Sequence, residues 1–266
     1  MGALPELRIH PIHKWIRASV GDTLVADTRA AVVVWEPRRI VPFYAFPVAD
    51  VHADLLPAPP SEDQERAVRM GRGGPPVLDP GTSFGVHTSP GVPMTVRTVD
   101  GDLVGAAFAP DDPDLADHVL LDWDTFDWRE EDEPVLGHPH DPFDRIDCLR
   151  SSRHVVLSLH GEVLAESRRP TMLYETPLPA RYYLPREDVR MELLEPSATR
   201  SVCAYKGHAT YWSARVGGEL VPDLAWTYES PLHDARPVAG LVSFFTERLD
   251  LRVDGVDLER PVTPWS

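Results

Sequence analysis

Residues 21–36 read GDTLVADTRAAVVVWE, and residues 161–175 read GEVLAESRRPTMLYE. Arg29 answers Arg168, Trp35 answers Tyr174 and Glu36 answers Glu175. The correspondence runs on, with Tyr44, Pro47, Asp50, Val51, Leu55 and Leu56 aligning with Tyr182, Pro185, Asp188, Val189, Leu193 and Leu194. Self-similarity at this separation is the signature of a tandem duplication. The repeated text is strand text: short apolar runs rich in Val, Ile, Tyr and Trp, bounded by turn residues. Strands are expected at residues 16–20, 24–26, 31–35, 41–46, 94–99 and 103–108. In the second copy they are expected at 154–159, 163–165, 172–175, 181–184, 210–216 and 219–228. Asp100-Gly101 and Gly217-Gly218 each separate two such runs, a hairpin signal at matching places in the copies.

Working outward, the 266 residues divide into two domains, 1–135 and 136–266, each long enough to bury its own core. The expected fold class is mainly β, small antiparallel sheets in tandem, each copy closing on a short C-terminal helix. The helices are placed at residues 114–125 and 235–249, where Val238, Leu241, Val242, Phe245 and Leu249 fall at helical spacing. The offset between copies falls along the alignment, so the first carries about twenty extra residues within the Pro- and Gly-rich stretch 58–93. That stretch reads as loosely packed, and residues 129–152 as an extended connection between copies.

Composition excludes several functions. A net charge of -16 disfavours a phosphate-backbone partner, so no nucleic acid is expected. No stretch is long and apolar enough to span a bilayer, so no membrane partner is expected either. Two cysteines, Cys148 and Cys203, and no secretory segment at the start suit a reducing, cytoplasmic setting. Arg145, Arg150, Arg153, Arg168 and Arg169 form the most basic neighbourhood, readable either as solvated surface or as a clamp for an anionic small molecule.

Reactive groups concentrate in residues 195–212, EPSATRSVCAYKGHATYW, for which the first copy has no counterpart. A cysteine is nucleophilic as a thiolate, and Lys206, three residues beyond Cys203, would favour that form if Gly207 turns the chain. The alternative is a small buried hydrophobe. Tyr211, Trp212, Trp226 and Tyr228 add aromatic surface; residues 226 and 228 share a strand face, which is either core or a pocket wall. Glu175 and Glu195 with Arg168 offer acid, base and anchoring groups, or a structural bridge. His138 and His140 beside Asp141, and His10 with His13, lack the spacing of a specific metal site, and no phosphate-cradling glycine motif occurs. Neither metal nor cofactor is expected.

Residues 203–212, CAYKGHATYW, followed by Asp223-Leu-Ala-Trp-Thr-Tyr-Glu-Ser-Pro and preceded by Tyr182-Tyr-Leu-Pro-Arg-Glu-Asp-Val, resemble the bacterial family called domain of unknown function 427. The likeness covers residues 151–256, with residues 14–128 as a divergent copy, a tandem arrangement familiar from actinobacteria. It implies a β-tent fold, akin to methionine-R-sulfoxide reductase B and the thalidomide-binding domain of cereblon. Relatives of that fold hold zinc on two Cys pairs, which two cysteines cannot supply; others hold ligands between sheets in an aromatic cage. Ala204 departs from the Pro that many members of the family place after the cysteine. The resulting expectation is a small-molecule site in the second copy, with Cys203, Lys206 and Tyr205 carrying chemistry. Arg168, Glu175, Tyr183, Tyr211, Trp212, Trp226 and Tyr228 would bind the ligand. The rival expectation is a non-catalytic ligand-binding or interaction module with the first copy as structural partner, and a homodimer is the assembly admitted.

Overall fold

The structure, a computed structural model, describes residues 5–69, 75–176 and 178–266. These form two compact units that meet in sequence between Asp141 and Pro142. The strands of the first unit are β1 (Arg8–Pro11), β2 (Ile16–Val20), β3 (Thr23–Thr28), β4 (Val32–Trp35), β5 (Phe43–Pro47), β6 (Asp54–Pro57), β7 (Ala67–Arg69), β8 (Pro76–Leu78), β9 (Gly91–Thr98), β10 (Gly101–Pro110), β11 (His118–Leu121), β12 (Asp127–Glu130) and β13 (Glu133–Pro134). Those of the second are β14 (Ile146–Arg150), β15 (Val155–Leu159), β16 (Glu162–Ser167), β17 (Thr171–Glu175), β18 (Arg181–Tyr183), β19 (Leu194–Cys203), β20 (Gly207–Val216), β21 (Glu219–Thr227), β22 (Val242–Phe244), β23 (Asp250–Val253) and β24 (Val256–Leu258).

In the first unit a seven-stranded sheet runs β1-β4-β5-β11-β10-β9-β6, and a four-stranded sheet runs β13-β12-β2-β3. In the second, β14-β17-β18 continues through the Leu184 to Val242 bridge into β22-β21-β20-β19, beside a sheet ordered β24-β23-β15-β16. Strand for strand the two orders coincide. All ladders between these strands are antiparallel, as β-rich sequence with short turns requires.

Burial explains the strand grammar. Val155, Leu157 and Leu159 alternate inward along β15 and join Leu164, Leu224 and Phe244 in the main core of the second unit. The central strands are buried on both faces: in β4, Val33 and Trp35 enter one cluster and Val34 the other. Each unit therefore has a main core between its two sheets and a smaller cluster on the outer face of the larger sheet. In the first unit that outer face is covered by Phe84 and Leu115; in the second, by Ala235 and Val238.

Four expectations are corrected. Residues 114–125 hold a single 3-10 turn, Pro113–Leu115, and then β11. Residues 235–249 hold the 3-10 turn His233–Val238 followed by β22, because Pro237 withdraws a helical N–H and Gly240 turns the chain at φ +69°. The stretch 58–93, read as loosely packed, carries β7 and β8 and buries Val77, Leu78, Phe84 and Val86; residues 70–74 lie outside the described residues. Residues 129–152 likewise contribute β13 and the edge strand β14. Among the described residues no helix is long and apolar enough to cross a membrane.

Candidate functional site

The hairpin that joins β19 to β20 sets the geometry. Cys203 pairs with Gly207 across a three-residue loop, and Gly207 sits at φ +87°, the left-handed residue such loops need. Its missing side chain also leaves room for Leu232, whose N–H donates to the Lys206 carbonyl at 3.1 Å. The loop thereby drives Lys206 inward, where it is only 7% exposed. Its Nζ donates to both oxygens of Glu175, the last residue of β17, at 2.5 Å to Oε1. Burial disfavours the ammonium, but the Glu175 carboxylate and the Cys203 thiol, which is within hydrogen-bonding reach, outweigh it and raise the Lys206 pKa. Lys206 is thus charged at neutral pH and its charge is already answered by Glu175, so it is no open anchor for an anion.

Cys203 and Cys148 are both reduced and half-buried at the margin of the same cluster. Cys148, on β14, contacts the Asp234 carbonyl at 3.7 Å, and burial pushes its thiol up although Lys206 pulls the other way. Tyr183 is wholly buried and accepts a 3.0 Å hydrogen bond from Trp226 Nε1, the rings meeting edge to face. Burial raises the pKa values of Tyr183 and Tyr228 far above the phenol range, so both stay neutral. Tyr211 shares a 2.7 Å hydrogen bond with Ser201 and stacks on Phe245. Tyr205 lies half-buried in the loop itself.

The structure therefore brings Glu175, Tyr183, Cys203, Lys206, Tyr211, Trp226 and Tyr228 to one cluster. Trp212 is elsewhere: adjacent to Tyr211 on β20, it points to the opposite face, packs on the main core and donates to Thr227 Oγ1 at 3.1 Å. Arg168 stands exposed just beyond β16, with no ion pair among the described residues. Sequence reading also missed Arg181, buried and bidentate to Glu247 at 2.8 and 2.7 Å, with its guanidinium 5.4 Å from the Trp226 ring. Among the described residues no group of three or more His, Cys, Asp or Glu is placed to hold a metal ion.

The first unit, which has no counterpart to the reactive hairpin, has a buried polar cluster of its own. Glu36, at the position answering Glu175, is completely buried and has its own polar partners. Its Oε2 lies 3.2 Å from both Arg39 Nε and His87 Nδ1, while Oε1 accepts from the Ser89 N–H at 3.3 Å and from the Ser89 hydroxyl. Burial raises the Glu36 pKa, but His87, Ser89 and Arg39 more than reverse this and hold it below the usual carboxylate range. His87 and Ser89 come from the inserted stretch, so alignment of the copies gives no partner to find them by. The remaining signal was His87 in a segment that one copy has and the other lacks.

With this geometry in place, comparison with known families gives one match. The family described as a domain of unknown function, DUF427, matches residues 147–255, supporting membership for that part of the chain. No curated protein matches the chain.

Proposed function

We propose that the second unit is a small-molecule-binding module whose chemical group is the Cys203 thiol, acting on a polar metabolite beside Lys206 and Glu175. The observation that carries this reading is the half-buried Cys203 at the mouth of a hairpin whose Lys206 ammonium is buried against it. A thiol beside a fixed cation is the pairing that nucleophilic cysteine chemistry uses. Glu175 keeps the ammonium in place, Tyr205 and Tyr211 border the loop, and Tyr183, Trp226 and Tyr228 form the floor. On this reading the two units are tandem duplicates of one β-tent-like ancestor, a view supported by their matching strand orders. Net charge -16 and two free cysteines support a cytoplasmic protein without a nucleic-acid partner. Assembly as a homodimer would appear as a doubled mass in sedimentation; a monomer mass at micromolar concentration would exclude it.

Iodoacetamide labelling across pH tests the nucleophile. At pH 7 Cys203 should be labelled several-fold faster than Cys148, and Lys206→Met should slow it. A Cys203 rate no faster than that of Cys148 in the unaltered protein would overturn the reading.

A second reading, a non-catalytic interaction module, is favoured by the mutual satisfaction of Lys206 and Glu175 and by the burial of Tyr183, Trp226 and Tyr228. It expects Cys203 to label like an ordinary thiol and Cys203→Ser to leave ligand or partner binding intact. The labelling rates therefore separate the two.

A further inference from the structure

The insertion in the first unit carries a side chain whose surroundings go beyond structural need. His87 is held at Nδ1 by the buried carboxylate of Glu36, at 3.2 Å. Its ring stacks on Phe108 at 3.6 Å between centroids, 10° from parallel, and meets the edge of Phe84 at 5.0 Å. The ring is therefore fixed in both tilt and rotation. Nε2 makes no hydrogen bond among the described residues, and the His87 side chain keeps 9% of its surface exposed. A carboxylate that accepts from Nδ1 fixes the tautomer in which Nε2 holds the free lone pair and directs that nitrogen away from Glu36. The neighbouring cation does not serve a ligand: Arg39 is committed to Glu36, the Ser83 carbonyl and the Val86 carbonyl. With aromatic rings around the imidazole and no free cation beside it, the site suits an uncharged electrophile.

We propose that the first unit holds a second chemical centre, in which Glu36 positions His87 so that Nε2 accepts an acyl group from a small uncharged activated ester or anhydride. The Nε2 lone pair bonds to the carbonyl carbon and the bond from that carbon to its leaving oxygen breaks, the oxygen departing with the electron pair. The Nδ1 proton, held against Glu36, neutralises the departing oxygen by way of solvent, leaving a neutral acyl-imidazole. Water then adds to the carbonyl carbon, the carbon–nitrogen bond breaks, and the acid leaves as the imidazole regains its proton. Glu36 acts here as a positioning residue, and Ser89 holds its other oxygen.

The full chain is treated with diethyl pyrocarbonate, and modification of each histidine is followed by peptide mass spectrometry over pH 5 to 8. His208 is the internal reference, being exposed and without a side-chain partner among the described residues. His87 should be modified at least tenfold faster than His208 although it is far less exposed, and Glu36→Gln should remove that advantage. His87→Asn retains a donor toward Glu36 and lacks Nε2; it should abolish the acyl burst with p-nitrophenyl acetate while leaving the melting temperature within a few degrees. A His87 rate equal to or below that of His208, or an unchanged rate in Glu36→Gln, overturns the proposal. Should Glu36→Gln not fold, the comparison within the unaltered chain decides alone. Since Cys203 lies in the other unit, loss of the thiol chemistry and loss of this centre are read by separate peptides.

Discussion

Glu175, at the end of β17, and Glu36, just after β4, stand at matching places in the two strand orders and solve the same problem with different partners. A carboxylate buried at the end of a central strand must be paired, because an unanswered charge there costs several kcal/mol. Glu175 takes Lys206 from a hairpin, and Glu36 takes Arg39 and His87. Lys206→Met should accordingly cost about 3–5 kcal/mol by leaving Glu175 stranded. Lys206→Met with Glu175→Leu should cost clearly less than the single change, and urea unfolding of both variants measures the difference. Glu130 gives the pH counterpart. Burial raises its pKa, but His140, Lys14 and Tyr44 together bring it from 4.5 down to about 2. A carboxyl depressed in the fold stabilises it fully above its unfolded value and progressively less as pH falls. The first unit should therefore lose roughly 2 kcal/mol between pH 4.5 and 2, after discounting for the part of the group still reached by water. Glu130→Gln should flatten that slope in acid titrations monitored by Trp fluorescence.

At the scale of elements, the hairpin from β19 to β20 bears the candidate chemistry and is also sterically defined. Gly207 sits at φ +87° and a Cβ there would meet Leu232 at an ordinary 3.4 Å, so Gly207→Ala acts through backbone strain. It should cost about 1–2 kcal/mol, seen as a lower urea midpoint. How far such elements could be read from sequence follows from the range of their causes. Strands repeated in both copies were legible because period-two burial is written locally, as in Val155, Leu157 and Leu159. The segment after Ala235 was misread because its apolar spacing suits a helix while Pro237 and Gly240 forbid one. Trp212 was grouped with Trp226 on aromatic character, although neighbours on a strand face opposite ways. His87 meets Glu36 across fifty-one residues, and Arg181 meets Glu247 across sixty-six; no local pattern records such pairings. One further coincidence supports duplication: Asp223 at φ +49° and Gly105 at φ +72° both fall where a long strand loses register with its neighbour. The first copy fills that left-handed position with the residue that suits it best, and the second leaves Asp223 with a buried, unpartnered Oδ1.

At the scale of the molecule, each unit closes its own core, so cooperativity should follow the units. Leu157, Leu164 and Phe244 belong to a cluster built wholly from the second unit, and Val33, Trp35 and Phe46 to one built wholly from the first. No described core cluster draws residues from both units. A cavity made in one core is therefore expected to loosen that core first. Leu157→Ala, at a fully buried position, should cost about 2–5 kcal/mol in the second unit alone. Differential scanning calorimetry of the full chain should show two transitions, of which Leu157→Ala lowers one and leaves the other in place. Val33→Ala should lower the other, by less because fewer buried atoms are removed. A single transition displaced as a whole by either substitution would mean that the units fold as one body. In that case the thiol centre of the second unit and the imidazole centre of the first would share one stability, and damage to either would be felt at both.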